Sequence, residues 1–348
     1  MSAPVQLDSS RSDFYDEISR SNLAPLWEKL KVLVPRQPTP SCTPYHWRYD
    51  ETRPHLMRAG SLISAHEAER RVLVLENPGR RGDSCITNTL YAGLQLLLPG
   101  ETARSHRHSQ SALRFIIEGG GAFTAVEGEK QFMQPGDLIL TPSWTWHDHG
   151  NPTEAAIVWL DVLDVPLVQA LDAGFSEPFD TNAPLQPRAA GEAQARYGMN
   201  LLPVEYRPTG HSSPVFAYPY ARTRAALDTL ARTSDIDAAL GIRMKYVNPT
   251  NGDYALPTIS SFIQLLPRGF KGIGHRCTDS TIYLAVEGRG RMRIGEQTFD
   301  WQPHDVLVAP SWSVVAHEAV SGDAVLFSCS DRGVQEKLGL WREQRPAR

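Results

Sequence analysis

Several features are scarce or missing in this chain of 348 residues, and each absence removes a class of protein. It has only four cysteines, widely separated and without a C-x-x-C pair, which excludes a disulfide framework and favours a reduced cytoplasmic protein. No apolar run reaches the roughly 18 residues of a membrane-spanning helix, and the polar N-terminus lacks a signal peptide's apolar core. The 35 basic and 39 acidic residues form no basic run, so neither nucleic acid nor a membrane is an expected partner.

Glycine and proline, by contrast, are abundant, with 26 of each, as in turn-rich β proteins. Leucines at a spacing of three and four predict a helix over residues 10–34, which ends at Val34-Pro35. Residues 36–58 are expected to be an extended arm. Short apolar runs then alternate with turns, which is typical of a sandwich or barrel. The predicted strands are 71–75, 90–97, 106–118, 121–126, 129–133, 137–140 and 155–163.

The same pattern occurs twice along the chain. QLLLPG at 95–100 is matched by QLLPRG at 264–269, HRH at 106–108 by HRC at 275–277, and TPSW at 141–144 by APSW at 309–312. A nearly constant offset indicates an internal duplication, and hence two barrels of one type. The predicted domains are a helical arm (1–58), a first barrel (59–165), a partly helical connector (166–235) and a second barrel (236–348).

Histidines in the first copy predict a metal site. His106 and His108 are two residues apart, so on a strand their side chains share one face. His147 follows a Pro/Trp turn and is expected on another strand of the barrel. Three neutral imidazoles that converge there leave coordination positions for substrate and oxygen. This ligand set suits iron, zinc, copper, nickel or manganese about equally well.

The spacing of glycines, prolines and histidines in these two segments resembles the cupin signature. The carboxylate that cupins usually carry four or five residues after the second histidine is replaced by Ala112 or Leu113. The run HRHSQSALRFIIEG at 106–119 specifically resembles gentisate 1,2-dioxygenases and their salicylate- and 1-hydroxy-2-naphthoate-cleaving relatives, as do the stretches at 23–28, 69–73, 142–149 and 159–161. The resemblance runs from about residue 20 to 330 and implies an all-β bicupin, with two double-stranded β-helix barrels.

The resemblance also implies an activity. It predicts a cytoplasmic enzyme of aromatic compound catabolism, with one Fe(II) per chain held by His106, His108 and His147. This enzyme would use O₂ to open gentisate between the carboxyl-bearing carbon and its hydroxylated neighbour, giving maleylpyruvate. A homo-oligomer, a tetramer in this family, is expected. The alternatives are cleavage of salicylate or 1-hydroxy-2-naphthoate, a non-catalytic ligand-binding bicupin, and a cupin isomerase.

Further site residues follow from the resemblance. Arg114, six after His108 and on the same face of a regular strand, is expected to bind the substrate carboxylate. His149 is expected to contact substrate and move protons, with Asp161 as the acid that orients it. The remaining residues expected around the substrate are Gln95, Arg70 (favoured over Arg71), Trp159 and Gly93, with Trp144 and Trp146 as either pocket walls or core.

The second copy lacks this set of histidines. Cys277 replaces the second histidine of the pair, Val315 occupies the position equivalent to His147, and His317 aligns with His149. We therefore expect a structural role for the second barrel in packing, oligomer contacts or closure of the first site. A metal site at Cys277 is the alternative.

Overall fold

The structure is a computed structural model that describes residues 9–179, 186–208 and 210–346. It has two compact units, Met1–Thr39 and Pro40–Arg348. Among the described residues, no helix is both long and apolar enough to cross a membrane. All four cysteines are free thiols.

The first unit contains two helices, α1 (Ser9–Arg20) and α2 (Leu26–Leu33). The prediction of one helix over 10–34 was wrong, because Asn22 takes a left-handed φ of 56° and Pro25 caps the start of a new helix. The helices are joined through Tyr15, whose hydroxyl accepts from Trp27 Nε1 at 2.8 Å and donates to Glu28 at 2.6 Å.

The second unit consists mainly of β-strands. Its helices are α3 (Tyr49–Leu62), α4 (Ala65–Ala68), α5 (Val165–Ala170), α6 (Glu192–Tyr197), α7 (Tyr220–Thr233) and α8 (Arg332–Lys337), with a 3₁₀ turn at Pro78–Arg80. Strands up to the connector are β1 (Tyr45–Trp47), β2 (Val72–Val74), β3 (Tyr91–Leu97), β4 (Thr102–His108), β5 (Ala112–Glu118), β6 (Phe123–Val126), β7 (Glu129–Phe132), β8 (Leu138–Thr141), β9 (His147–Gly150) and β10 (Ile157–Leu163). The later strands are β11 (Ser176–Pro178), β12 (Ala217–Tyr218), β13 (Ile242–Lys245), β14 (Ser260–Leu266), β15 (Arg276–Cys277), β16 (Thr281–Glu287), β17 (Gly290–Ile294), β18 (Gln297–Trp301), β19 (Val306–Ala309), β20 (Val315–Ala319), β21 (Ala324–Ser330) and β22 (Glu343–Gln344).

Sheet order confirms the duplication. The first barrel has a six-stranded sheet, β12-β8-β5-β10-β3-β2, and the second has β1-β19-β16-β21-β14-β13, which is the same order of equivalent strands. Smaller sheets complete each barrel: β11-β4-β9-β6-β7 in the first, and β18-β17-β20 with β15-β22 in the second. The expectation of an all-β bicupin is confirmed.

Strands from outside the predicted barrel bounds complete the two large sheets. Strand β1 lies in the predicted arm but pairs with β19 of the second barrel, with Tyr45 opposite Val308. Strand β12 lies in the connector but pairs with β8 of the first barrel, with Ala217 opposite Ile139. Residues 45–47 are therefore a strand of a barrel sheet and residues 49–58 are helical, so the prediction of an extended arm over 36–58 was wrong for these residues. The predicted domain bounds stay predictions.

One predicted strand needs correction. The run predicted over 106–118 is two strands, β4 and β5, joined by a turn in which the Ser111 amide donates to Asp164 at 2.9 Å. His106 and His108 lie on β4, whereas Arg114 lies on β5. The argument that His108 and Arg114 share a face of one regular strand was therefore wrong.

Candidate metal and substrate site

The three predicted metal ligands come together inside the first barrel. Strands β4 and β9 are antiparallel neighbours with His106 opposite His147. Ring centroids lie 5.2 Å apart for His106 and His108, 4.2 Å for His106 and His147, and 4.9 Å for His108 and His147. One nitrogen from each ring lies within 4.8 Å of the others, so the three can bind a single ion.

Backbone carbonyls orient two of these rings. His108 Nδ1 lies 2.8 Å from the Gln110 carbonyl and His147 Nδ1 lies 2.9 Å from the Thr145 carbonyl. Because a carbonyl only accepts, each Nδ1 carries the proton and each Nε2 keeps its lone pair. The His147 Nε2 is buried with no hydrogen-bond partner among the described residues, so its lone pair is available for a metal ion. Neutral imidazole donors of this kind fit a divalent transition metal.

Burial keeps the three rings neutral. It lowers the pKa of His106 to about 3, with the charge of Arg70 adding to the effect. The pKa values of His108 and His147 are also lowered, mainly by burial, and the guanidinium of Arg114 contributes to both. The ligands are thus ready for a cation at neutral pH without losing protons first.

Of the two candidate arginines, the structure brings Arg70 to the histidines. Its Nη2 lies 2.5 Å from His106 Nδ1 and donates to the Arg104 carbonyl at 2.9 Å. Arg71 is instead buried in an ion pair with Glu101 at 2.8 Å. Arg70 and His106 line an open cavity of about 730 Å³, which the connector strand β11 also borders. A smaller cavity of about 120 Å³, beside Tyr220 and Glu287, has none of the predicted site residues in its lining.

Strand register gathers the predicted substrate-binding residues on one face. Asp161 of β10 lies opposite Gly93 on one side and Arg114 on the other, and Trp159 lies opposite Gln95. Directly opposed residues of antiparallel strands point to the same side. The five residues Gly93, Gln95, Arg114, Trp159 and Asp161 therefore face the barrel interior together.

Arg114 and Asp161 form a buried ion pair beside the histidines. Arg114 Nε lies 3.6 Å from Asp161 Oδ1, and Nη1 donates to Thr141 Oγ1 at 2.9 Å. Burial lowers the pKa of Arg114 and raises that of Asp161, and each partner's charge opposes the shift of the other. The guanidinium stays charged, since its ordinary pKa lies far above 7. Its Nε lacks a hydrogen bond within the described chain, which leaves a cation with donor capacity in the cavity.

His149 is buried next to the metal ligands, but its partner differs from the prediction. Its Nδ1 lies 2.9 Å from Thr124 Oγ1, and that hydroxyl donates onward to Met133 Sδ at 3.4 Å. Because the hydroxyl has only one proton, His149 Nδ1 must be the donor, and Nε2 faces the cavity unprotonated. Asp161 makes no hydrogen bond to His149 in the described residues and lies against Arg114, so the prediction that it orients His149 was wrong.

The three tryptophans near the site occupy two different environments, one beside His149 and one around Arg107. Trp159 is fully buried, with its ring centroid 5.5 Å from that of His149, as expected for a pocket wall. Trp144 and Trp146 instead sandwich the Arg107 guanidinium at 4.5 and 4.6 Å. Arg107 lies between the two ligand histidines on β4 and so points to the opposite face. The pocket-wall interpretation of Trp144 and Trp146 was therefore wrong.

Two threonines were missed by reasoning from the sequence. Thr124 holds His149 and Thr141 holds Arg114, and both are fully buried. Neither stands in a distinctive motif. Each is identified only by strand pairing, which sets Thr124 opposite His149 and brings β8 beside β5.

The second barrel has a different set of residues at the equivalent positions. His275 pairs with Val315, and the centroids of His275 and His317 lie 6.4 Å apart. In the described residues, only His106, His108 and His147 form a group of three or more potential ligands close enough for one ion. The number of metal ions per chain stays a prediction.

Comparisons with known proteins agree with this architecture. A cupin domain is recognised at residues 93–163. The chain is 51% identical to gentisate 1,2-dioxygenase 1 of Aquipseudomonas alcaligenes, covering 96% of each chain. It is 37% identical to a 5-aminosalicylate 1,2-dioxygenase of a Comamonas species, covering 99% of this chain and 92% of the relative.

A solved structure shares the whole fold. The salicylate 1,2-dioxygenase of Pseudaminobacter salicylatoxidans superposes with a TM-score of 0.91 at 31% identity and covers 99% of both chains. The same enzyme crystallised with gentisate gives a TM-score of 0.92, over 99% of this chain and 96% of that one. Fold and site together define a bicupin ring-cleaving dioxygenase. The chain belongs to the gentisate 1,2-dioxygenase family.

Proposed function

We propose that this chain is a gentisate 1,2-dioxygenase that uses Fe(II) and O₂ to open gentisate between C1 and C2, giving maleylpyruvate. The observation that carries the proposal is the trio of neutral imidazoles beside a buried arginine whose Nε has no hydrogen-bond partner among the described residues. The trio supplies no negative charge, so a bound Fe²⁺ keeps its full charge and favours an anionic aryl carboxylate. Bound iron would hold substrate and O₂ side by side and pass electrons between them.

The chain's own residues bind and orient the substrate. Arg114 offers a guanidinium edge to the carboxylate from the cavity wall, and Arg70 offers a second positive group beside His106. Asp161 lies 3.6 Å from Arg114 Nε and restrains the guanidinium on that side. Trp159 and Gln95 border the aromatic ring of the substrate, and burial of these two residues together with Arg114 and Asp161 excludes water on that side.

His149 is the proposed proton-transferring group. Its Nε2 is buried without a hydrogen-bond partner among the described residues, and burial holds the pKa of His149 well below the ordinary value. A neutral imidazole in this setting takes a proton from a phenolic hydroxyl at Nε2 as that hydroxyl becomes an anionic ligand. Thr124 fixes the tautomer that makes this possible.

Gentisate is favoured over salicylate and 1-hydroxy-2-naphthoate by the residues around Gly93. A Cβ there would lie 2.4 Å from Val72 Cγ1 and 3.1 Å from the Tyr91 hydroxyl. A side chain at position 93 would therefore collide with its neighbours, and Tyr91 brings a hydroxyl to this position that can hydrogen-bond the second ring hydroxyl of gentisate. The relative named as a gentisate 1,2-dioxygenase supports gentisate as the substrate. The relative named as a 5-aminosalicylate 1,2-dioxygenase supports the runner-up, cleavage of a salicylate.

An oxygen-uptake assay tests the proposal. The chain is reconstituted anaerobically with Fe²⁺ and then supplied in parallel with gentisate, salicylate or 1-hydroxy-2-naphthoate. We expect one O₂ per gentisate, formation of maleylpyruvate and no turnover by His108→Ala. Faster turnover of salicylate or 1-hydroxy-2-naphthoate selects the runner-up, and no turnover of any 2-hydroxybenzoate contradicts both.

The homotetramer and the cytoplasmic location belong to the same proposal. Helix α2 buries none of its residues and exposes Leu26, Trp27, Leu30 and Leu33, an apolar surface suited to contacts between copies of the chain. Static light scattering tests the assembly, and a monomer would contradict it.

A further inference from the structure

The interior of the second barrel contains polar groups without partners. In the part of the chain described, hydrogen-bond partners are lacking for Arg243 Nε, Gln264 Oε1, His275 Nδ1 and both ring nitrogens of His317. Gln264 and His317 are fully inaccessible to solvent, and His275 is 4% exposed. Buried polar atoms are normally paired, and each orphan costs stability. In the first barrel the same signature, at His147, His149 and Arg114, marks the candidate active site.

Strand register shows that this polar group occupies the position of the first barrel's site. Arg243 lies opposite Gln264 just as Val72 lies opposite Gln95. Ser328 lies opposite Tyr283 just as Asp161 lies opposite Arg114. The second barrel has therefore exchanged a buried ion pair for serine and tyrosine, and has gained an arginine where the first barrel has valine.

Arg243 has no acid partner. Among the described residues, its guanidinium lies over the Phe262 ring at 3.9 Å and donates to Ser328 Oγ at 3.4 Å, and it forms no ion pair. The neighbouring acids have other partners: Asp279 accepts from Ser330 and Trp341, and Glu343 pairs with Arg345 at 3.0 Å. Arg243 is half-buried, and its Nε and the unpartnered ring nitrogens of His275 and His317 are hydrogen-bond donors suited to an anion.

We propose that the second barrel binds a short-chain carboxylate, with Arg243 clamping the carboxylate and His275 and His317 completing its hydrogen bonds. Phe262 stands at the position of Gly93, so a phenyl ring occupies the second barrel there and the ligand must be smaller than a benzoate. A cation is disfavoured, because Arg243 repels it and burial raises the pKa of Cys277, which leaves a neutral thiol. This site does not depend on the reaction of the first barrel.

Fluorine NMR with trifluoroacetate as the probe tests this site in the full metal-free chain. Binding is measured in the Arg114→Met background, which removes the first barrel's carboxylate clamp. Adding Arg243→Met should weaken binding by about tenfold or more, because a charge-assisted pair is lost. The matched control is Arg268→Met, an exposed arginine of the same barrel, which should leave binding unchanged. Equal affinity for trifluoroacetate with and without Arg243 would overturn the proposal. Displacement of the bound trifluoroacetate by equimolar chloride would also overturn it.

A crystal soaked with trifluoroacetate gives a second readout that needs no variant. We expect the carboxylate within hydrogen-bond distance of Arg243 Nε in the second barrel. A ligand seen only in the first barrel would overturn the proposal, even if Arg243→Met failed to fold.

Discussion

At the scale of single residues, the metal ligands could be predicted and their supports could not. The H-x-H pair and the third histidine follow from strand periodicity and the resemblance. Thr124 and Thr141 stand in ordinary strand segments, and the contacts that make them matter join residues 25 and 27 positions apart. Asp161 was assigned to the right cavity but to the wrong partner, because strand pairing alone decides which side chain it meets.

Arg114→Met tests the proposed carboxylate clamp. Since the substitution removes a charged donor but keeps the apolar stem, we expect KM for gentisate to rise about 10- to 100-fold with the bound metal retained. Arg107→Met, on β4 and on the face away from the ligand histidines, should change KM by less than about twofold. An unaltered KM in Arg114→Met would remove Arg114 from the substrate site.

Thr124→Val tests the support of His149. Valine keeps the shape but loses the hydroxyl, so His149 loses its tautomer-fixing partner and kcat should fall about tenfold with metal content unchanged. Thr124→Ser should retain most of the activity. A similar loss in both variants would mean that packing, not the hydroxyl, is what matters.

The pH dependence of metal binding tests the lowered histidine pKa values. Three imidazoles with the ordinary pKa of 6.5 would lose about 50-fold in affinity between pH 7.5 and pH 6.0, because protons compete for each lone pair. Here the pKa values of all three are lowered, to about 3 for His106, so the rings stay neutral as the pH falls through 6.5. Cobalt titration should therefore give an affinity that changes less than about threefold over this range. A fall near 50-fold would contradict the lowered values.

At the scale of elements, apolar runs predicted most strands of the first barrel, with ends within a few residues of those observed. They did not predict how the edge strands pair. Strand β1 has three residues and no strong pattern, and it joins its sheet through partners more than 250 positions away. The break between β4 and β5 was missed because polar residues at 109–111 continue without a glycine or proline. Long-range pairing of this kind leaves little local signal.

Asp305 tests whether β1 belongs to the second barrel. Its buried carboxylate accepts from the Tyr49 amide at 2.8 Å and lies 2.9 Å from His46 Nε2, on either side of the end of β1. Asp305→Ala should lower the free energy of unfolding by about 2–4 kcal/mol, since buried partners lose their acceptor. Asp300→Ala, which breaks an exposed pair with Arg291, should cost less than about 1 kcal/mol. Equal values from chemical denaturation would contradict the role of β1.

At the scale of the whole molecule, repeated motifs at one offset were enough to predict a bicupin. The repeated motifs do not predict how the two barrels pack against each other. Phe115 of β5 in the first barrel and Phe327 of β21 in the second stack with ring centroids 4.3 Å apart, inside one apolar cluster that spans both barrels. The copies therefore share a core and diverged inside their cavities, where one keeps three histidines and the other carries Arg243.

The central claim is that three imidazoles, without a carboxylate, hold the catalytic metal in the first barrel. X-ray absorption at the iron edge of the anaerobically loaded chain tests it directly, because multiple scattering counts the imidazole rings around the metal. We predict three rings per iron, falling in His108→Ala together with the metal content. Two rings with a protein carboxylate, or iron retained in full by His108→Ala, would contradict it.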